Sequence, residues 1–178
     1  MRRVLAAVCV VFVVAGGPVA ATVVTLTDTS QTTTFTASVS EQADVTVPGA
    51  VTFSVTNVSA STASAQQTVS ATTIVLNDGK KLRIEIAPDA TAFTAPSRGS
   101  VTWASSNISW DAPSWTGGTG NATSMSGTAG TYAKIVDMTT ANSSEVSTTG
   151  LVFTLAAKNT VDRAGSHTLT ATWKFSSF

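Results

Sequence analysis

The chain has 178 residues, and ten Lys and Arg balance ten Asp and Glu. Charges this sparse build neither the basic stripe that nucleic acid requires nor the basic helix that grips a membrane surface. No nucleic-acid partner is expected.

The first 21 residues read as a secretory signal peptide. Arg2 and Arg3 open it, Val4 to Ala15 are apolar throughout, and Gly16, Gly17 and Pro18 break any helix. Small residues then lead to a cut between Ala21 and Thr22. A retained anchor would need about 20 apolar residues, and this run is shorter. Cleavage leaves no later membrane span and removes Cys9, the only cysteine. The mature chain therefore forms neither a disulfide nor a thiolate metal site. Residues 22–178 are long enough for one self-sufficient domain with its own core.

The extension after the cut, TVVTLTDTSQTTTFTASVS, is nearly uncharged and rich in hydroxyls, with Val24 and Leu26 spaced along it and Phe35, Ala37 and Val39 on one face of TTTFTASVS (32–40). Pro48-Gly49 then breaks the chain, and AVTFSVTNV (50–58) predicts a strand with Val51, Phe53 and Val55 on one face. Asn77-Asp78-Gly79-Lys80 predicts a hairpin between TTIVL and KLRIEI, because Asp-Gly tolerates positive φ. In KLRIEIA (81–87), Leu82, Ile84 and Ile86 alternate with Lys81, Arg83 and Glu85. A helical turn over residues 88–93 is the best helix candidate in the chain. Residues 114–130 read as a long Gly, Ser and Thr loop. GLVFTLAA (150–157) aligns Leu151, Phe153 and Leu155, and the chain closes on Leu169, Ala171, Trp173 and Phe175 in alternation. Short half-buried antiparallel strands at this spacing predict an all-β sandwich of the Greek-key or immunoglobulin-like kind, with a β-barrel as the alternative.

Chemistry is harder to find. His167 is the sole histidine, so an activated serine lacks a base. Asp111, Asp137, Glu145 and Asp162 are scattered, and no sequence feature pairs two of them for glycoside cleavage. Asn77-Asp78-Gly79 resembles part of a calcium loop, but turn geometry already accounts for it. No catalytic residue, metal ligand or cofactor is assigned. Trp103, Trp110 and Trp115 cluster beside the Gly-rich loop. Trp103 continues the alternation from Val101 and belongs to the core, whereas Trp110 and Trp115 are candidates to stack on sugar rings. Filling the core is the competing role for both.

The two ends carry a resemblance. Gly165, then Leu169, Ala171, Trp173, Phe175 and Phe178, together with the alternating extension after residue 21, resemble bacterial pilins of the chaperone–usher type and spore coat protein U-like domains. The resemblance implies a secreted, cell-surface or periplasmic β-sandwich whose extension completes a neighbouring subunit by strand addition. Val24, Leu26, Leu169, Ala171, Trp173, Phe175 and Phe178 would be its assembly residues. The chain departs from that pattern in lacking a disulfide and in placing its aromatic last instead of penultimate. The leading expectation is thus an exported, non-enzymatic structural or surface-assembly protein that binds its own subunits. The alternative is a carbohydrate-binding or adhesive module that binds a surface glycan.

Overall fold

The computed structural model describes residues 32–178. The signal peptide, Val24 and Leu26 lie outside the described residues. Residues 32–40 carry no regular element, and Phe35 and Val39 are 92% and 70% exposed.

Residues 39–178 form one compact unit of antiparallel sheets. The first sheet joins β1 (Gln42–Thr46), β3 (Gln67–Val75) and β9 (Val146–Leu151). The second joins β2 (Thr62–Ala63), β10 (Phe153–Leu155), β5 (Ile108–Trp110) and β7 (Thr123–Ser124). The third runs β11 (Ala171–Ser177), β4 (Leu82–Pro88), β8 (Ala133–Met138), β6 (Gly118–Gly120). Only Val152 separates β9 from β10, so one stretch of chain passes from the first sheet into the second. No sheet closes on itself, and the architecture is a β-sandwich, not a barrel.

The period-two pattern explains the core. Leu82, Ile84 and Ile86 are buried on one side of β4 while Arg83 and Glu85 face outward. They meet Val69 and Ala71 of β3, Val146 and Leu151 of β9, and Ile108, Phe153 and Leu155 of the second sheet in one apolar cluster. On the outer face, Asp137 bonds Arg83 at 2.7 Å and Lys134 at 3.0 Å, and Glu85 bonds Lys174 at 3.2 Å. These half-exposed pairs set the side-chain pattern of the sheet more than its stability.

Several local expectations change, and the strand expected over residues 50–58 does not form. The Asn77–Lys80 turn forms, with the Lys80 N–H donating to the Asn77 carbonyl at 3.1 Å and Gly79 at φ 75°. It does not close a hairpin, because β3 pairs with β1 and β9 while β4 pairs with β8 and β11. The turn carries the chain between facing sheets, which lets the apolar sides of β3 and β4 cover each other. Residues 88–93 are not helical, and the one helical turn described is a short 3-10 segment, Ser105–Asn107. The Gly-rich stretch supplies β6 and β7, each at the edge of a sheet, where small residues let the chain lie close to its neighbour. A Cβ on Gly118 would stand 2.7 Å from Val136.

Leu151 is fully buried at the point where the chain passes from the first sheet to the second. Leu151→Ala is expected to cost about 3 kcal/mol, from lost transfer energy and an unfilled cavity. Urea unfolding of the variant against the parent measures it, and a loss below about 1 kcal/mol would mean that the site collapses freely.

Candidate functional site

The closing strand faces the core as its alternation predicts, yet Leu169, Ala171, Trp173 and Phe175 are only half-buried. A groove of about 940 Å³ explains this. Leu169, Ala171 and Trp173 form one wall, and Val51, Phe53 and Val55 form the other. Ile86, Trp103, Ile108 and Phe153 supply the floor.

Backbone accounting defines both walls. The Lys81 and Phe178 backbones exchange two hydrogen bonds, at 3.2 and 3.0 Å, and the Asp89 N–H donates to the Thr170 carbonyl at 3.0 Å. In an antiparallel pair such bonded positions alternate. The register Thr172↔Ala87, Lys174↔Glu85, Ser176↔Arg83 therefore directs the even-numbered residues of β11 toward β4. Ala171, Trp173 and Phe175 direct their N–H and C=O groups to the opposite, unpaired edge. These same residues turn their side chains inward, so one set of positions presents both apolar surface and free backbone.

The facing wall is unpaired as well. Residues 50–56 show the expected alternation in burial, with Val51, Phe53 and Val55 half-covered and the residues between them exposed. They belong to no strand, and no backbone hydrogen bond within the described residues involves them. An extended segment of strand-like pattern thus lies beside the groove without a ladder partner among the described residues. Nothing in residues 50–58 alone reveals this, because the alternation is the same in a paired strand.

One end of the groove is polar. Residues 161–168 line it, held against residues 96–102. The Asp162 carboxylate accepts from Ser100 Oγ at 2.7 Å, from the Ser100 N–H at 3.1 Å and from the Val101 N–H at 3.1 Å. The Ser100 hydroxyl, followed by the two backbone N–H groups, holds this carboxyl down at about 2. His167 packs edge-on to Trp103, with ring centroids 5.2 Å apart. Its Nε2 lies 3.0 Å from the Arg163 carbonyl, which can only accept. The neutral ring therefore carries its proton on Nε2, and Nδ1 accepts from Thr102 Oγ1 at 2.7 Å. With both nitrogens engaged, His167 is a bracing residue of the groove. Gly165, at φ 135°, lies so close to Pro96 that a Cβ would come within 2.9 Å.

The remaining candidates separate. Trp103 is 4% exposed and in the core, its Nε1 donating to the Ala156 carbonyl at 2.9 Å. Trp110 is 2% exposed, donates to the Asn121 carbonyl at 2.9 Å and packs edge-on to Phe153. It offers no ring face to a sugar, because the β5–β10 pairing turns it into the sandwich. Trp115 is half-buried against the core, and its Nε1 is covered beside Gly120 without a hydrogen-bond partner. Phe178 is 42% exposed beneath the Arg83 guanidinium, 4.4 Å from its ring centre. Asp137 and Asp162 are engaged as described, Glu145 accepts from Ser147 Oγ, and Asp111 is exposed. Among the described residues, no three His, Cys, Asp or Glu side chains group as a metal site would require. No protein-family model, curated protein or solved structure matches this chain.

Because the Asp162 carboxyl titrates below its ordinary 3.8 when folded, its contribution to stability is complete above that value. It is lost as the pH falls from 3.8 toward about 2. Asp162→Asn is expected to remove that part of the acid-unfolding profile. Thermal melts across this range test it, and an unchanged profile would assign the acid sensitivity to other carboxyls.

Proposed function

We propose that this chain is an exported, non-enzymatic β-sandwich subunit of a surface assembly. Its groove receives an extended strand from another copy, and its own extension, residues 22–40, is the strand it donates. The carrying observation is the pair of backbone edges without ladder partners among the described residues, at residues 50–56 and at Ala171 and Trp173, on either side of an apolar trough. A small apolar ligand would fill the trough but leave both edges unpaired. A peptide strand supplies side chains to the floor and hydrogen bonds to the walls together.

The energetics favour an alternating strand over a uniformly polar one. Ordering each residue costs about 1–2 kcal/mol. Each net backbone hydrogen bond returns only about 1 kcal/mol. Burying a Val or Leu side chain adds about 1.5–3 kcal/mol, so inward apolar residues decide whether the strand stays. The signal peptide supports export to a periplasmic, secreted or cell-surface location. The engagement of both His167 nitrogens supports a non-catalytic reading. The carbohydrate reading has less support, since Trp110 is enclosed and only Trp115 keeps partial exposure.

Amide exchange distinguishes an empty groove from a filled one. In monomer, the Ala171, Trp173 and Phe175 amides are expected to exchange fast, and those of Thr172, Lys174 and Ser176 slowly. Assembly should slow the first set and leave the second unchanged, while deletion of residues 22–40 should abolish assembly in sedimentation experiments. A chain that stays monomeric at high concentration, or that polymerises equally without residues 22–40, would overturn the proposal.

A further inference from the structure

The groove has a direction as well as a shape. Its floor is apolar along Ala171 and Trp173, and it becomes polar beyond Leu169, where His167 and Arg163 line it. Asp162 lies at the same end, but its carboxylate is already covered by the Ser100 hydroxyl and two backbone N–H groups. Arg163 is exposed, forms no ion pair among the described residues, and makes only a long 3.4 Å contact to the Arg98 carbonyl. Arg98 adds a second exposed cation to the loop beneath it. Arg163 and Arg98 against the single Asp162 carboxylate leave this end net positive, and the groove lining holds no other charged side chain among the described residues.

The donated extension carries one charge. Between Thr22 and Ser40, Asp28 is the only charged residue, and it follows Val24 and Leu26 at a spacing of two. Building on the strand-addition reading, we infer that the groove receives residues 22–28 of a second copy, antiparallel to β11, with Asp28 beside Arg163 and His167. Alternation then sets Val24 opposite Ala171, Leu26 opposite Leu169 and Asp28 opposite His167. Apolar side chains cover the apolar floor, and the carboxylate reaches the cationic end. A parallel strand would carry Asp28 the other way, onto the apolar surface around Trp173 and Phe175, where an unpaired charge is costly. Residues 32–40 have an apolar face in Phe35, Ala37 and Val39 but no charge to choose a direction.

A second copy docks without the chain reversal that the same chain would need. Glu41 is anchored at the far end of β11, accepting from Ser177 Oγ at 2.6 Å and from the Asn77 N–H at 2.9 Å. Seating its own Asp28 at His167 would require residues 29–40 to reverse and run back about 33 Å to Glu41, within the roughly 43 Å that those 13 steps can reach, so the concentration dependence of protection decides between the two sources. A neighbouring copy carries no such constraint.

Charge exchange in the full mature chain tests this, read by sedimentation across a concentration series with amide exchange on the same samples. Asp28→Arg and Arg163→Glu are each expected to weaken association about tenfold, and the two together to restore most of it. Arg163 is exposed, and restoration by the double change separates charge pairing from misfolding. Association that is insensitive to both changes, or a double variant no better than the singles, overturns the Asp28 register while leaving strand addition standing. Protection of Ala171 and Trp173 that does not depend on concentration overturns the second-copy assignment. A wild-type chain with no association and no protection at these amides removes the strand-addition reading itself.

Discussion

The pairing of β11 with β4 is the constraint on which the rest of the structure depends. Its register, Ala171↔Pro88 through Ser177↔Leu82, sets the inward direction of Leu82, Ile84 and Ile86 and of Ala171, Trp173 and Phe175 together. Since β11 has only β4 beside it among the described residues, the same ladder that closes the core against β4 leaves the other half of each β11 peptide group unmatched there. An edge strand is ordinarily protected by charge, proline or brevity. Here Lys174 projects from the outer face, and the edge itself carries Ala171, Trp173 and Phe175. Core formation and an open edge thus come from one arrangement of residues.

The class of the fold was legible because one physical rule, alternation, governed nearly every segment. KLRIEIA and the Leu151, Phe153, Leu155 series place the same side chains inward in the structure as in the sequence. Pairing was far less legible. Asp78-Gly79 forms the tight turn its chemistry favours, but turn chemistry is local and cannot say which sheet receives the next strand. Residues 50–56 show the same limit from the other side, since alternation describes a strand's faces and is silent about its edges. The Gly-rich stretch was misread because glycine that permits close approach looks the same in sequence as glycine that permits freedom.

The groove was legible only in part. Leu169, Ala171 and Trp173 stood out as an inward face, while its other wall and its polar end depend on contacts distant along the chain. Asp162 reaches Ser100 and His167 reaches Thr102 across more than 60 residues of sequence. Nothing near a lone aspartate or a lone histidine announces such partners. The tryptophans teach the complementary lesson. Proximity in sequence suggested a shared surface for Trp110 and Trp115, but β5 points one of them into the core while the other lies against Gly120.

The β11–β4 ladder also has a mechanical meaning. Its seven residue pairs lie side by side along the strand direction. A pull along the axis of β11 loads all of them together in shear, whereas a pull across the strand would open them one at a time. Strand β11 is therefore most resistant in the direction in which it runs.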